Sequence, residues 1–180
     1  MRVISGLCGG RRLETPADDS VRPTTDKVKE ALFSSIQFEL EGAEVLDLFS
    51  GSGQLGIEAL SRGAKAAVFV DKSNASVQLT KKNLACCSLE AEVVKSDSPE
   101  FLSHCNRLFD IVFLDPPYSV GLLQQVLPMV SRVVRKTGVI VAECPYGEQI
   151  PDILENGFVL AKQKKYGTIQ LIFYRNQENT

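Results

Sequence analysis

The sequence predicts an α/β fold in which helices cover both faces of a mostly parallel sheet. From Glu44 onwards, short apolar segments alternate with amphipathic ones, and this alternation of strand and helix is typical of a parallel sheet. A glycine-rich turn joins the first of these strands to the next helix. The tail 158–174 is interrupted at Gly167 and predicts a final hairpin, which can supply an antiparallel strand at the C-terminal edge of the sheet.

The composition is that of one globular domain. The 180 residues are 44% hydrophobic and 23% charged, which suits a single well-packed core. The net charge of −2 argues against a protein that holds nucleic acid mainly by bulk charge. No apolar run approaches the length of a membrane span, and no apolar signal segment follows the first arginines. We therefore expect a cytoplasmic protein without a membrane partner.

Metal and disulfide chemistry are not expected. The five cysteines form no C-x-x-C pair, and the single histidine, His104, cannot complete a usual zinc ligand set with them. We interpret the cysteines as reduced thiols that behave as small hydrophobic residues. We therefore expect a protein that binds no metal ion. A monomer is expected as well, although the sequence leaves self-association open.

The N-terminal residues predict an arm with exposed arginines. Residues 1–13 alternate weakly around three glycines, which is typical of a short hairpin or an irregular arm. Arg11 and Arg12 are therefore candidates for RNA contact. A solvated basic N-terminus is an equally good explanation of this segment taken alone.

A polar loop leads from the arm into the first predicted helix. Thr24 or Thr25 caps an amphipathic helix over 26–38. Its apolar residues share one face, and charged residues, Lys29 among them, lie off that face. The helix is therefore expected to lie on the surface of the domain.

The chain divides into an N-terminal part, 1–42, and a single globular unit, 43–180. The arm and first helix make up the N-terminal part, which is expected to pack on the core and face the RNA. In the globular unit, runs of apolar residues predict strands and amphipathic segments predict helices. The strands are 45–49, 67–70, 91–94, 109–114 and 139–143, followed by the C-terminal hairpin, and the helices reach to about Arg62 and span 73–85 and 122–133.

Gly51, Gly53 and Gly56 form a G-x-G-x-x-G turn between a strand and a helix. The glycines allow a tight turn and a close approach of the backbone to a ligand. Asp71 ends the second strand about twenty residues later, where an acid accepts both hydroxyls of an adenosine ribose. This pattern alone fits a dinucleotide and S-adenosylmethionine equally, because both carry adenosine.

Further aspartates favour S-adenosylmethionine over a dinucleotide. Asp47 places a carboxylate shortly before the glycine turn, where it suits a cationic amino-acid tail and repels a pyrophosphate. Asp97, after the third strand, can accept from an adenine amino group. Four acids lie at the carboxyl ends of consecutive strands, the edge where ligands bind in open parallel sheets; they are Asp47, Asp71, Asp97 and Asp115. The alternative is that some of them only cap the helices that follow.

Two prolines halt the apolar strand 109–114, and the turn that they form predicts the chemistry. Such a stop indicates a buried strand that ends in a rigid turn. Backbone carbonyls beyond the strand are left outside the ladder, so Asp115 and the Pro116 carbonyl supply acceptors beside the ring of Tyr118. Acceptors on the N–H bonds of an exocyclic amine would direct its lone pair towards an incoming methyl group. The alternative is a strand-end turn with a packed tyrosine.

These residues resemble the bacterial 16S ribosomal RNA guanine-N2 methyltransferases of the RsmD type, which are class I, Rossmann-like S-adenosylmethionine enzymes. The resemblance runs over nearly the whole chain. It is carried by RPTTDKVKEALF (22–33), LDLFSGSG (46–53), LGIEALSRG (55–63), FVDK (69–72), DPPY (115–118) and YG (166–167). The first segment is the most specific to the family, whereas many amino-methylating enzymes share the Asp-Pro-Pro-Tyr turn. The chain departs from the family pattern at Cys8, Gly9, Ser50 and Gln54.

The resemblance implies a seven-stranded sheet and methyl transfer from S-adenosylmethionine to the exocyclic N2 of one guanine in 16S ribosomal RNA, in the small subunit or an assembly precursor. It implies a catalytic turn of Asp115, Pro116, Pro117 and Tyr118. It implies a cofactor site made of Asp47, Phe49, Ser50, Gly51, Gly53, Gly56, Asp71, Lys72 and Asp97. It also implies that the arm and the loop before the first helix lie beside the site, with RNA contacts at Arg11, Arg12, Arg22, Thr24 and Thr25.

Three other functions fit parts of the sequence. An adenine-N6 methyltransferase would use the same turn, although a DNA enzyme of this kind usually carries a separate target-recognition domain. A nicotinamide-dependent oxidoreductase would share the glycine turn but needs an acid/base pair, and His104 is the single histidine. A non-catalytic RNA-binding module is disfavoured by the net charge and by a complete set of cofactor residues.

Overall fold

The computed structural model describes residues 1–16, 25–118 and 121–179. Its helices are α1 (Asp26–Ser35), α2 (Gln54–Ser61), α3 (Asn74–Cys86), α4 (Ser98–His104) and α5 (Leu122–Val130). Its strands are β1 (Glu44–Asp47), β2 (Ala66–Asp71), β3 (Glu92–Lys95), β4 (Phe109–Leu114), β5 (Val134–Pro145), β6 (Phe158–Tyr166) and β7 (Ile169–Asn176). None of the helices in these residues is both long and apolar enough to cross a membrane.

The strands form one seven-stranded sheet in the order β3-β2-β1-β4-β5-β7-β6. Strands β1 to β5 run parallel, and β7 pairs antiparallel with both β5 and β6. The predicted Rossmann-like α/β fold is therefore confirmed. The antiparallel strand β7, however, is not the edge strand but its neighbour. Strand β6 comes first in the chain and lies at the edge, and β7 then runs back between β6 and β5.

The ends of several predicted elements are shifted. Helix α5 stops at Val130 instead of 133, and strand β1 stops at Asp47 instead of 49. Helix α1 stops at Ser35 instead of 38, since the amide of Ile36 bonds the carbonyl of Phe33 and the helix ends in a tight turn. Strand β5 begins at Val134 instead of 139 and pairs first with Phe109, before an irregularity in the ladder. The polar residues of this irregular segment hide the start of the strand from a search for apolar runs.

Helix α4 was not predicted. It has only seven residues, begins with Pro99 in its first turn and follows β3 after two residues. Ser98 fixes its start by donating a hydrogen bond of 3.1 Å to the carbonyl of Leu48. The helix therefore begins directly beside the end of β1.

Two layers of side chains cover the sheet. The arm, α1, α2 and α3 pack on one face, and α4 and α5 pack on the other. The fully buried carboxylate of Glu58 on α2 accepts from the amides of Ile4 at 2.8 Å and Ser5 at 3.0 Å. Lys29 lies 3.4 Å from Glu58 and is fully buried, so its expected place on the polar face of α1 was wrong. The arm attaches to α2 through these polar contacts.

Candidate active site

The glycine turn between β1 and α2 is shaped by sterics. Gly53 precedes α2 with φ of 80°, a left-handed conformation that strongly favours glycine. A Cβ added at Gly56 would lie 2.3 Å from the Cε1 atom of Phe69 in β2. The last glycine of the motif therefore allows the helix to pack closely on the sheet, while the earlier ones shape the loop.

Side chains from β2 and α3 hold this loop in place. The amide of Gly51 donates to Asp71 at 2.9 Å, and its carbonyl accepts from Thr80 at 3.0 Å. The second carboxylate oxygen of Asp71 accepts from the amide of Ser73 at 2.8 Å. Asp71 thus orders the loop, and each of its oxygens keeps a further lone pair for a ligand.

Asp47 lies under the loop at the end of β1. It is 1% exposed and accepts a 3.0 Å hydrogen bond from the amide of Gly56, in the first turn of α2. Burial raises the pKa of Asp47 to about 7; the Gly56 hydrogen bond opposes this shift and the charge of Asp71 adds to it. A cation bound above Asp47 would stabilise its charged form.

Two buried polar atoms of the loop have no hydrogen-bond partner among the described residues. They are Oγ of Ser50 and Oε1 of Gln54, and their side chains are 5% and 8% exposed. Buried polar atoms are normally satisfied, so these two indicate that a polar ligand completes the loop. Sequence reasoning assigned Ser50 to the site but not Gln54.

The remaining predicted cofactor residues lie around this loop. Phe49 is half-buried against the core on the α4 and α5 face, whereas Lys72 and Asp97 are exposed. Asp97 precedes α4 but makes no capping hydrogen bond through its side chain. The capping alternative therefore does not account for Asp97, and its carboxylate remains available at the end of β3.

The aspartates that end the strands are neighbours in the sheet. Because the strand order is β3-β2-β1-β4, their order across the sheet is Asp97, Asp71, Asp47 and Asp115. Helices α3 and α5 begin at other residues, with Ser73 and Gly121 as their N-caps. The structure thus brings all four acids to one end of the sheet, and the proline turn follows the strand next to the glycine loop.

The turn 115–118 leaves the sheet at the end of β4. The last paired residue of β4 is Leu114, opposite Ala142 of β5. The next residues lie beyond the ladder: Asp115 is half-buried, Pro116 is buried, and Pro117 is exposed. No described residue donates a hydrogen bond to the Pro116 carbonyl. This carbonyl can therefore act as an acceptor for a ligand.

Glu143 is a site residue that sequence reasoning missed. The Tyr118 hydroxyl donates to Oε1 of Glu143 at 3.0 Å, and the glutamate, in β5, is only 5% exposed. Tyr118 itself is 50% exposed, so its ring remains accessible. An acid inside the apolar segment 139–143 was the available signal, since charged residues are rarely buried without a specific partner.

The predicted RNA contacts are only partly described. Arg22 and Thr24 lie outside the described residues. Arg11 and Arg12 are exposed, and Nη1 of Arg11 donates to the carbonyl of Cys86. Thr25 is the N-cap of α1 and accepts from the amide of Val28, a structural role that the sequence also indicated.

Comparison with known proteins identifies the family. A family model described as "Conserved hypothetical protein 95" matches residues 1–175. The chain is 38% identical to the "Putative rRNA methyltransferase YlbH" of Bacillus subtilis, over 98% of this chain and 100% of that protein. It is 36% identical to the "Ribosomal RNA small subunit methyltransferase D" of Haemophilus influenzae, over 98% and 94%. A solved structure, "Putative methyltransferase yhhF from Escherichia coli", matches with a TM-score of 0.87 and 34% identity, over 98% and 97%. The chain therefore belongs to the Conserved hypothetical protein 95 family, the family of the RsmD-type methyltransferases.

Proposed function

We propose that this protein transfers a methyl group from S-adenosylmethionine to the exocyclic N2 of a guanine in small-subunit ribosomal RNA. The proposal rests above all on the turn 115–118, which lies next to the glycine loop. The turn presents a carboxylate, a carbonyl that accepts from none of the described residues, and an accessible aromatic ring. Family membership supports ribosomal RNA as the substrate class. The substrate would be the small subunit or an assembly precursor, and the enzyme a cytoplasmic monomer.

S-adenosylmethionine is the methyl donor of the class I methyltransferase fold, and the loop fits it. When bound, it supplies an electrophilic methyl group. Asp71 and Asp97 would accept from the ribose and the adenine, and Asp47 would attract the cationic tail. The buried atoms of Ser50 and Gln54 that have no partner among the described residues would gain hydrogen-bond partners at the same loop.

The catalytic turn would act on the guanine amine. The Asp115 carboxylate and the Pro116 carbonyl would accept hydrogen bonds from its two N–H groups. These bonds would raise the electron density on the nitrogen, whose lone pair is otherwise delocalised into the ring. The nitrogen would gain the methyl group as the bond between that methyl group and the sulfonium sulfur breaks, which leaves S-adenosylhomocysteine, and would then lose a proton to solvent or to Asp115. No dedicated histidine base is needed, because the methylated nitrogen is strongly acidic until it loses this proton.

Tyr118 would hold the extruded base. Its ring is accessible, and its hydroxyl is anchored on Glu143. A guanine stacked on this ring would present its amine to the neighbouring acceptors of the turn. We therefore assign Tyr118 to base stacking and Glu143 to positioning the ring.

The direct test is transfer of a labelled methyl group to small ribosomal subunits, or to their protein-bound precursors, that lack the modification. Nucleoside analysis of the product should show N2-methylguanosine at one site. N6-methyladenosine would contradict the proposed substrate while leaving the amine-methylating turn in place. No transfer by a protein that binds S-adenosylmethionine would contradict the proposal as a whole.

The matching variant is Asp115→Ala. It should abolish transfer, since one of the two acceptors of the amine is lost, and should leave the affinity for S-adenosylmethionine within about twofold of wild type. Asp71→Ala is the converse control: it should weaken the binding of S-adenosylmethionine, because that carboxylate holds the cofactor loop. If Asp115→Ala loses cofactor binding, the division of roles between the two aspartates is wrong.

A further inference from the structure

A basic and aromatic surface lies at the tip of the β6–β7 hairpin. It consists of Tyr146, Lys164, Lys165 and Tyr166, and we call it the hairpin surface. Lys164 and Lys165 are exposed, and neither forms an ion pair with any described residue. Lysines elsewhere, such as Lys65 and Lys136, are paired with glutamates. The charge of the hairpin surface is therefore not neutralised within the described chain.

Each of these lysines lies over an aromatic ring. The Nζ atom of Lys165 is 3.7 Å from the ring centroid of Tyr146, and that of Lys164 is 5.6 Å from the centroid of Tyr166. Tyr146 is 54% exposed, so its ring is accessible to a ligand. Cations and accessible rings thus occur together, on both faces of β6.

The hairpin surface lies at the same end of the sheet as the proline turn. Pro145 at the end of β5 pairs with Ile169 of β7, which pairs with Tyr166 of β6. The amide of Tyr146 donates to the carbonyl of Thr168 at 2.9 Å, which fixes Tyr146 against the hairpin turn. Strand β6 lies three strands from β4, which corresponds to about 14 Å at the usual strand spacing.

The two sites are also connected through the end of β5. Tyr118, Glu143 and Pro145 line one crevice, and Tyr146 is the next residue after Pro145. An RNA chain that extends from a base stacked on Tyr118 towards this side of the sheet would therefore reach Tyr146 and Lys165. The separation suits the nucleotides that flank a target base.

We propose that the hairpin surface binds single-stranded RNA next to the target guanine, a site that adds to the proposed function and rests on it. The lysines would contact the phosphates, and bases would stack on Tyr146 or Tyr166. Proteins that bind single-stranded nucleic acid without reading its sequence combine these two kinds of contact. The net charge of −2 makes such a local surface necessary for RNA affinity.

Lysines on an edge strand have a second explanation. They can prevent β6 from pairing with the edge of another molecule. This role needs charge but not RNA, so it predicts self-association on removal of the lysines and no change in RNA affinity. The aromatic partners play no part in it.

The test compares Lys164→Gln/Lys165→Gln with the matched variant Lys65→Gln/Lys136→Gln, which removes the same charge at the other end of the sheet. RNA affinity is measured against salt with small subunits and with a single-stranded RNA from the target region. The hairpin variant should bind about tenfold more weakly at 0.15 M salt, with a slope of log K against log salt lower by about 1.4. Its KM for subunits should rise while kcat and S-adenosylmethionine affinity stay unchanged.

A second variant separates the rings from the charge. Tyr146→Leu should weaken RNA binding about fivefold or more and leave the salt slope unchanged, because stacking releases no counterions. Equal affinity and slope in the hairpin and matched variants would overturn the proposal, as would self-association with unchanged affinity. If the hairpin variant loses affinity but the wild type forms no N2-methylguanosine, the surface stands and the proposed reaction fails.

Discussion

The hydroxyl of Tyr118 donates a 3.0 Å hydrogen bond to the buried carboxylate of Glu143, and this bond joins the turn after β4 to β5. Tyr118→Phe keeps the ring and removes the bond. We expect kcat/KM for subunits to fall about tenfold, which matches the lower range for hydrogen bonds to charged groups. Tyr118→Ala should lose at least about a further fivefold, because stacking of the base is lost as well.

The partner variant is Glu143→Gln, which keeps an acceptor for the hydroxyl but removes its charge. It should fall between wild type and Tyr118→Phe in kcat/KM, with unchanged affinity for S-adenosylmethionine. Tyr174→Phe is the control, since that tyrosine also donates to an oxygen, the Pro151 carbonyl, but lies away from the turn. Full activity of Tyr118→Phe would show that the anchor is not needed.

Local patterns were sufficient to predict most of the fold. Apolar runs of strand length and the periodicity of the helices depend on neighbouring residues, so the five parallel strands and four of the five described helices were predicted. The place of β7 between β5 and β6 depends on pairing between distant segments. Lys29 was misplaced for the same reason, because its partner Glu58 lies on another helix.

The site residues that could be predicted were those with a motif. The glycine turn and the Asp-Pro-Pro-Tyr turn each have a fixed local spacing. Glu143, Thr80 and Asn83 have none, because each is defined by a hydrogen bond to a distant residue. Such residues become visible only when the fold brings their partners together.

The raised pKa of Asp47, about 7, predicts a pH dependence of cofactor binding. A carboxyl whose pKa is raised is mostly neutral at pH 6 and becomes charged as the pH rises. If the carboxylate binds the cationic tail, affinity for S-adenosylmethionine should increase about fivefold between pH 6 and 7.5, below the range of about 7.7–8.0 in which α-amino groups lose their charge. Isothermal titration calorimetry in two buffers should also detect a released proton.

Asp47→Asn supplies the comparison, because it keeps an oxygen for the Gly56 amide and cannot ionise. It should bind S-adenosylmethionine more weakly at pH 7.5 and show no increase over this window. Asp71→Asn should also bind weakly but keep the dependence, since Asp47 is intact. A pH dependence that survives in Asp47→Asn would assign it to another group.

The buried carboxylate of Glu58 predicts a large stability effect. Glu58→Ala leaves the ammonium group of Lys29 without its carboxylate and frees the amides of Ile4 and Ser5. We expect a loss of about 3–5 kcal/mol in the free energy of unfolding, measured by urea denaturation. Burial already lowers the pKa of Lys29, and the nearby Glu58 opposes that shift.

Two further variants serve as comparisons for the stability of Glu58→Ala. Glu44→Ala removes a partly exposed carboxylate that pairs with Lys65 and Arg135, and should cost about 0–1 kcal/mol. Glu58→Ala/Lys29→Met removes both buried charges and should be more stable than Glu58→Ala alone. A double variant as unstable as the single one would assign the loss to the freed amides of the arm together with the lost ion pair between Glu58 and Arg62.

Asn83 on α3 connects the arm to the cofactor loop. Its Nδ2 donates to the carbonyl of Ser52 at 2.8 Å and to that of Glu14 at 3.1 Å, and its Oδ1 accepts from the amide of Glu14 at 2.8 Å. Asn83 is 1% exposed, so these bonds have no ready replacement by water. Asn83→Ala should therefore loosen both the loop and the arm at once.

We expect Asn83→Ala to weaken S-adenosylmethionine binding about tenfold and to speed amide exchange both in the arm and at 51–53, because buried carbonyls lose their donors. Gln78→Ala, an exposed change on the same helix, should alter neither. Faster exchange in the arm with unchanged cofactor affinity would show that the arm is attached to the loop without supporting it. Loss of affinity together with faster exchange would mean that one side chain couples the order of the arm to cofactor binding.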